Sequence, residues 1–122
     1  MGDNTDLVLL RDGLDILMPK LAACIDKLAR FAIQHKALPT IGYTHLNPAQ
    51  LVTLGKRSCS WISDLLNDLA ALNRIRDRIS NNFGGCKSST GTSDTFLELF
   101  EGDKEKVAQL EQLVAEFAGF QR

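Results

Sequence analysis

Leu7-Val8-Leu9-Leu10-Arg11-Asp12-Gly13-Leu14-Asp15-Ile16-Leu17-Met18-Pro19-Lys20-Leu21 begins the clearest pattern in the sequence. Leu7, Leu10, Leu14, Leu17, Leu21, Cys24, Leu28 and Phe31 recur at alternating spacings of three and four, the period of one face of an α-helix. Asp3, Asn4 and Thr5 stand just before the stripe as candidate caps. Pro19 removes one backbone hydrogen bond and crowds the preceding turn, which predicts a kink rather than a stop, because the stripe resumes in register. The pattern predicts one long helix over about 5–35.

Working outward, residues 37–47 lose the period, contain Pro39 and Gly42, and read as a connecting loop. Asn47 followed by Pro48 reads as an N-cap with proline at the first helical position, opening a second long helix over about 48–80. Its stripe of Leu51, Leu54, Trp61, Leu65, Leu72, Ile75 and Ile79 is widened by Ile62, Leu66, Leu69 and Ala70, so it needs several neighbouring helices to cover it. Residues 81–92 hold Asn81, Asn82 and three glycines without a period and read as a polar loop. Shorter helices are expected over about 93–100 and 103–118, the second capped by Asp103, striped by Val107, Leu110, Val114 and Phe117, and ended before Gly119. No strand is expected. The fold class is all-α, two long helices followed by a shorter helical part.

The balance of 44% hydrophobic and 24% charged residues is that of a globular protein, and 122 residues fit one domain. A net charge of −1 supplies no field for gathering nucleic acid or an anionic membrane, so neither is an expected partner. Cys24, Cys59 and Cys86 are odd in number and widely spaced, against a disulfide framework or a zinc site and in favour of reduced thiols in the cytoplasm. No targeting segment or run of eighteen apolar residues is present.

Of two histidines, His35 falls near the end of the first helix, where a cation meets the helix dipole, and reads as a surface residue. His45 lies in a loop between Thr44 and Asn47, where an imidazole titrating near neutrality can donate or accept a proton. Position alone leaves it open between catalysis and an ordinary loop role. Lys87-Ser88-Ser89-Thr90-Gly91-Thr92 combines a cation, hydroxyls and backbone amides suited to carboxylate or phosphate oxygens, but also reads as a polar turn; it lacks the spacing of a P-loop. The charges of Arg74, Arg76, Asp77 and Arg78 read as a solvated helix face, and Trp61, Phe96, Phe100, Phe117 and Phe120 as core or helix interface. No metal-ligand spacing or cofactor motif is found.

Gly42-Tyr43-Thr44-His45 with Pro48-Ala49-Gln50, together with Gly2-Asp3-Asn4-Thr5-Asp6-Leu7, Leu38-Pro39-Thr40 and Gly55-Lys56-Arg57, resembles the adenylosuccinate lyases in order and spacing. So do Lys87, Thr90-Gly91-Thr92, Leu99-Phe100-Glu101-Gly102-Asp103 and Ala118-Gly119-Phe120. The Thr-His with Pro-Ala-Gln is shared more loosely with the fumarase and aspartase superfamily, and the Leu-Phe-Glu-Gly run favours the adenylosuccinate branch. Asn47 stands where that family usually has glutamine, and 81–85 is an unfamiliar version of its loop.

The resemblance implies a central piece of the superfamily's bundle of long antiparallel helices. It also implies β-elimination that releases fumarate from adenylosuccinate and from the succinyl-carboxamide intermediate of purine nucleotide biosynthesis. His45 matches the general acid, Thr44 a neighbouring substrate-positioning residue, and Lys87, Ser89, Thr90 and Thr92 a polar segment beside the substrate. No cofactor or metal is implied. The expected partners are a purine nucleotide substrate and further copies of the chain, since such lyases are homotetramers whose sites draw on three subunits. The Ser-Ser-x-Met-Pro loop that carries the family's base is not found in the 122 residues, so the chain alone is expected to be inactive. The alternatives are a non-catalytic helical oligomerisation module and a sister lyase acting on argininosuccinate, fumarate or aspartate.

Overall fold

The structure, a computed structural model, describes residues 2–80 and 83–120. Among them the elements run α1 (Gly2–Gln34), β1 (Pro39–Thr44), β2 (Asn47–Thr53), α2 (Leu54–Ser80), α3 (Asp94–Leu99) and α4 (Lys104–Phe117). The fold is predominantly helical as the stripes predict, with one addition: β1 and β2 pair antiparallel. Asn81 and Asn82, at the start of the expected polar loop, lie outside the described residues.

α1 runs unbroken through Pro19. It begins at Gly2, so Asn4 is a helical residue rather than a cap. The second long helix starts at Leu54, not near residue 48, and its cap is Thr53, whose Oγ1 accepts a hydrogen bond from Lys56 N at 3.2 Å. Asn47 and Pro48 instead open a strand. The reason is pairing: Thr40, Ile41, Tyr43 and Thr44 face a second run ending in Leu51, Val52 and Thr53, and these β-branched and aromatic residues suit a pleated ribbon.

The chain divides into two compact units. The unit Asp15–Asn73 joins the later part of α1, the hairpin and the first part of α2. Here Leu54 N donates to Leu38 O at 2.9 Å and Gly55 N to His35 O at 3.0 Å, tying the root of the hairpin to the end of α1. A Cβ on Gly55 would collide with the Ala32 carbonyl oxygen and the Lys36 backbone, so only glycine permits this approach. Ser58, fully buried, donates its hydroxyl to Leu54 O at 3.0 Å. Ile16, Leu17, Phe31, Trp61 and Leu66 remain exposed, which places Trp61 outside the core.

The other unit comprises Met1–Leu14 with Arg74–Arg122. Its core contains Leu14, Ile79, Phe83, Cys86, Val107, Ala115 and Phe120, with the Phe83 and Phe120 rings 4.9 Å apart. Asp103 caps α4 as the sequence predicts: its Oδ1 accepts from Glu105 N at 3.0 Å and Lys106 N at 3.1 Å. At the other end Gly119 takes φ +75°, and Phe120 N bonds Ala115 O while Gly119 N bonds Glu116 O, the paired bonds of a Schellman stop. Arg11 of α1 seals that terminus, donating from Nη1 to Ala118 O at 2.7 Å with its guanidinium 5.0 Å from the centre of the Phe120 ring. Phe117, by contrast, is exposed.

Candidate active site

Thr44 ends β1 and pairs with Asn47, so His45 and Leu46 alone make the turn. Both have positive φ, +48° and +65°, the sign a type I′ hairpin turn requires at its two central positions. Such turns favour asparagine and glycine; side chains with a Cβ cost about 1–2 kcal/mol each in this region. The turn therefore holds His45 in an uncommon backbone conformation at the outermost point of the ribbon. Leu46 beside it is 95% exposed, and His45 is exposed too.

Below the tip the register slips by one between Ile41 and Tyr43, so Ala49 and Gln50 together face Gly42. A bulge of this kind twists the ribbon and re-aims the residues beyond it, here Thr44 and His45. Asn47 Nδ2 reaches back to His45 O at 3.4 Å, a long bond but one that ties the short amide to the turn. A shallow cleft of about 420 Å³ lies along the hairpin, lined by Thr44, Tyr43, Gln50 and Lys56 among others. Thr44 thus borders a cleft, while His45 stands at the tip beyond it.

The second group of candidates lies in the other unit. Asn4 grips the start of the polar loop with both ends of its amide: Nδ2 donates to Gly85 O at 2.9 Å and Oδ1 accepts from Gly84 N at 3.1 Å. Ser88 N donates to Thr92 O at 2.8 Å and Gly91 N to Ser88 O at 3.0 Å, closing a turn in which Gly91 has φ +80°. The Ser88 hydroxyl lies 3.3 Å from that of Thr90 and 3.1 Å from that of Thr92. Thr90 and Thr92 therefore build the turn. Lys87 and Ser89 line a cleft of about 330 Å³ with Asp3, Asn4, Gly84, Gly85, Ser88 and Gly91.

Lys87 is not a free cation. Its Nζ donates to Glu111 Oε1 at 2.5 Å and to Ser93 Oγ at 2.9 Å. Glu111 is buried on α4, one turn from the buried Val107 and one from the buried Ala115. Sequence reasoning missed Asn4 and Glu111 as parts of this site. For Glu111 a signal existed: a carboxylate stands four residues from each of two apolar residues on one helix face. For Asn4, 81 positions from its partner Gly85, local pattern held none. Among the described residues no group of three or more His, Cys, Asp or Glu is placed to hold a metal ion, and no helix is long and apolar enough to cross a membrane.

Comparison with known proteins bears on this arrangement. The sequence is 48% identical to the adenylosuccinate lyase of Schistosoma mansoni over 122 residues, covering 100% of this chain and 25% of that protein. It is 48% identical over 120 residues to the adenylosuccinate lyase of Saccharomyces cerevisiae, covering 98% of the chain and 24% of that enzyme. An argininosuccinate lyase of Methanothermobacter thermautotrophicus is 34% identical over 90 residues, 73% of the chain and 19% of that protein. The chain thus spans about a quarter of the length of the adenylosuccinate lyases it matches. The lyase family's sequence model matches residues 4–116, which include the hairpin, the polar loop and Glu111, and the chain accordingly belongs to the lyase family.

Proposed function

We propose that these residues form part of the site of an enzyme that cleaves adenylosuccinate and the related succinyl-carboxamide by β-elimination, releasing fumarate in purine nucleotide biosynthesis. One group takes a proton from the carbon beside a carboxylate, fixed donors stabilise the resulting charge, and another group protonates the departing nitrogen. His45 is the proton donor to nitrogen, Thr44 positions substrate beside it, and the 87–92 loop holds substrate oxygens. The observation that carries the reading is the hairpin tip: a bulge and a left-handed two-residue turn present an imidazole clear of the ribbon. The 48% identity to proteins named adenylosuccinate lyase, against 34% for the argininosuccinate lyase, supports the choice of substrate. The free thiols of Cys24, Cys59 and Cys86 suit a cytoplasmic setting.

No residue here is assigned as the base, so the 122-residue chain by itself is expected to leave adenylosuccinate absorbance unchanged. The test is a chimera in which it replaces the matching quarter of the yeast relative. His45→Ala in that chimera is expected to lower turnover about a hundredfold or more with the circular dichroism unaltered. Unchanged turnover would sink the assignment.

The exposed apolar faces favour a second, compatible reading, helical self-assembly. Leu9, Leu10, Ile16, Leu17, Trp61 and Leu66 present more apolar surface than an isolated chain retains comfortably. Homo-oligomers of the chain, or mixed oligomers with the yeast relative, are expected in native mass measurements; a strictly monomeric chain counts against this reading.

A further inference from the structure

Glu111 places a carboxylate where burial would be costly without a partner. Lys87 is one such partner, and the pairing fixes more than charge. An ammonium has three N–H donors. One goes to Glu111 Oε1 and one to Ser93 Oγ, leaving the third for the cleft that Lys87 lines with Asn4, Ser88 and Ser89. A lysine side chain is otherwise a mobile stem, so two prior bonds remove freedom that a ligand would have to freeze on arrival. The pairing also neutralises the ammonium, and Asp3 adds a carboxylate to the same lining. An anion taken up in this cleft would meet an ammonium N–H and hydroxyls rather than a net positive charge.

We propose that Glu111 is a positioning residue that aims Lys87 at an oxyanion of the ligand, a carboxylate or a phosphate. The proposal rests on the reading of the 87–92 loop as substrate-holding. Its test uses the 122-residue chain, titrated separately with succinate and with inorganic phosphate while the backbone amides of Ser88, Ser89 and Gly91 are followed by NMR. Saturable shifts with succinate, with phosphate or with both identify the oxyanion. Glu111→Gln is expected to weaken that binding about tenfold, as loss of one well-placed charged hydrogen bond would. Lys87→Gln with Glu111→Gln is expected to bind no more than about twofold more weakly than Glu111→Gln alone, because an unaimed lysine contributes little.

Lys87→Gln alone is expected to weaken binding about tenfold as well, so that the two losses do not add. In wild-type chain carrying 13C-labelled glutamate, the Glu111 carboxyl carbon should shift along the same saturation curve as the Ser89 amide, a readout that holds even if the variants fail to fold. Binding by Glu111→Gln as tight as wild type or tighter, or a carboxyl signal that stays still while Ser89 saturates, overturns the positioning role alone. A wild-type loop that takes up neither anion overturns the substrate-holding reading and the proposal with it.

Discussion

The hairpin and the polar loop both carry candidate site residues, but they are held in opposite ways. The loop is gripped by side chains from distant positions: Asn4 holds Gly84 and Gly85, Glu111 holds Lys87, and Phe83 packs on Phe120. The hairpin is held by its own backbone ladder and by two hydrogen bonds at its root, while its tip is exposed in a left-handed turn. A site segment of the first kind depends on the packing around it. One of the second kind depends on turn geometry and on where its root is planted.

The largest expected effect breaks the loop's support. Phe120 is 4% exposed, stacks near Phe83 and lies under the Arg11 guanidinium. Phe120→Ala should cost about 3–5 kcal/mol of stability, the range for emptying a buried aromatic site. Urea denaturation measures it; a loss under about 1 kcal/mol would mean that the ring does not anchor this unit. The matching break at the hairpin is Gly55→Ala, whose new methyl meets the Ala32 carbonyl and the Lys36 backbone. Neither neighbour is a flexible side-chain end, so the strain should cost about 1–3 kcal/mol. Unaltered stability would show that the approach at the root is looser than the structure has it.

The same contrast explains what could be read in advance. α4 was legible because its signals are local: Asp103 bonds amides two and three residues ahead, and Gly119 sits one residue past the C-cap. The hairpin was not, because Asn47-Pro48 offers a plausible helix start and only pairing with Pro39–Thr44 overrides it. Its turn also conceals itself, since His45-Leu46 lacks the asparagine or glycine that would advertise positive φ. His45 still falls between two elements, because a hairpin tip stands where the sequence predicts a loop, whereas Thr44 is the last residue of β1. At the polar loop the sequence shows residue types that suit either an oxyanion or a polar turn, but nothing short of the packed structure reveals that Lys87 is already committed to Glu111, 24 positions away.

A smaller effect sharpens the picture of the tip. Leu46 makes the turn with φ +65° and 95% of its surface exposed, so its side chain brings strain without burial. Leu46→Gly should relieve left-handed strain, offset in part by the greater freedom of glycine in the unfolded chain, for a net gain of about 0.5–1 kcal/mol. A loss of stability would indicate that Leu46 packs against another surface in solution.

The smallest effect concerns Asp103 and depends on pH. Its carboxyl is held below the usual carboxylate range chiefly by the hydrogen bond from Lys106 N; desolvation opposes this, and the Lys106 charge and the Glu105 N bond act with it. A folded-state pKa lowered in this way means that the ionised cap favours the folded chain above the ordinary aspartate value. That contribution fades as pH falls through the lowered value, because the unfolded carboxyl takes up its proton first. Asp103→Asn keeps a capping oxygen but does not titrate. The stability of wild type relative to Asp103→Asn should therefore be constant from pH 7 down to about 4 and should decline below it, when followed by thermal melts at 222 nm. Every other carboxyl titrates in both proteins, so the difference isolates this one cap. A difference that grew on acidification would require the proton, rather than the charge, to stabilise the start of α4.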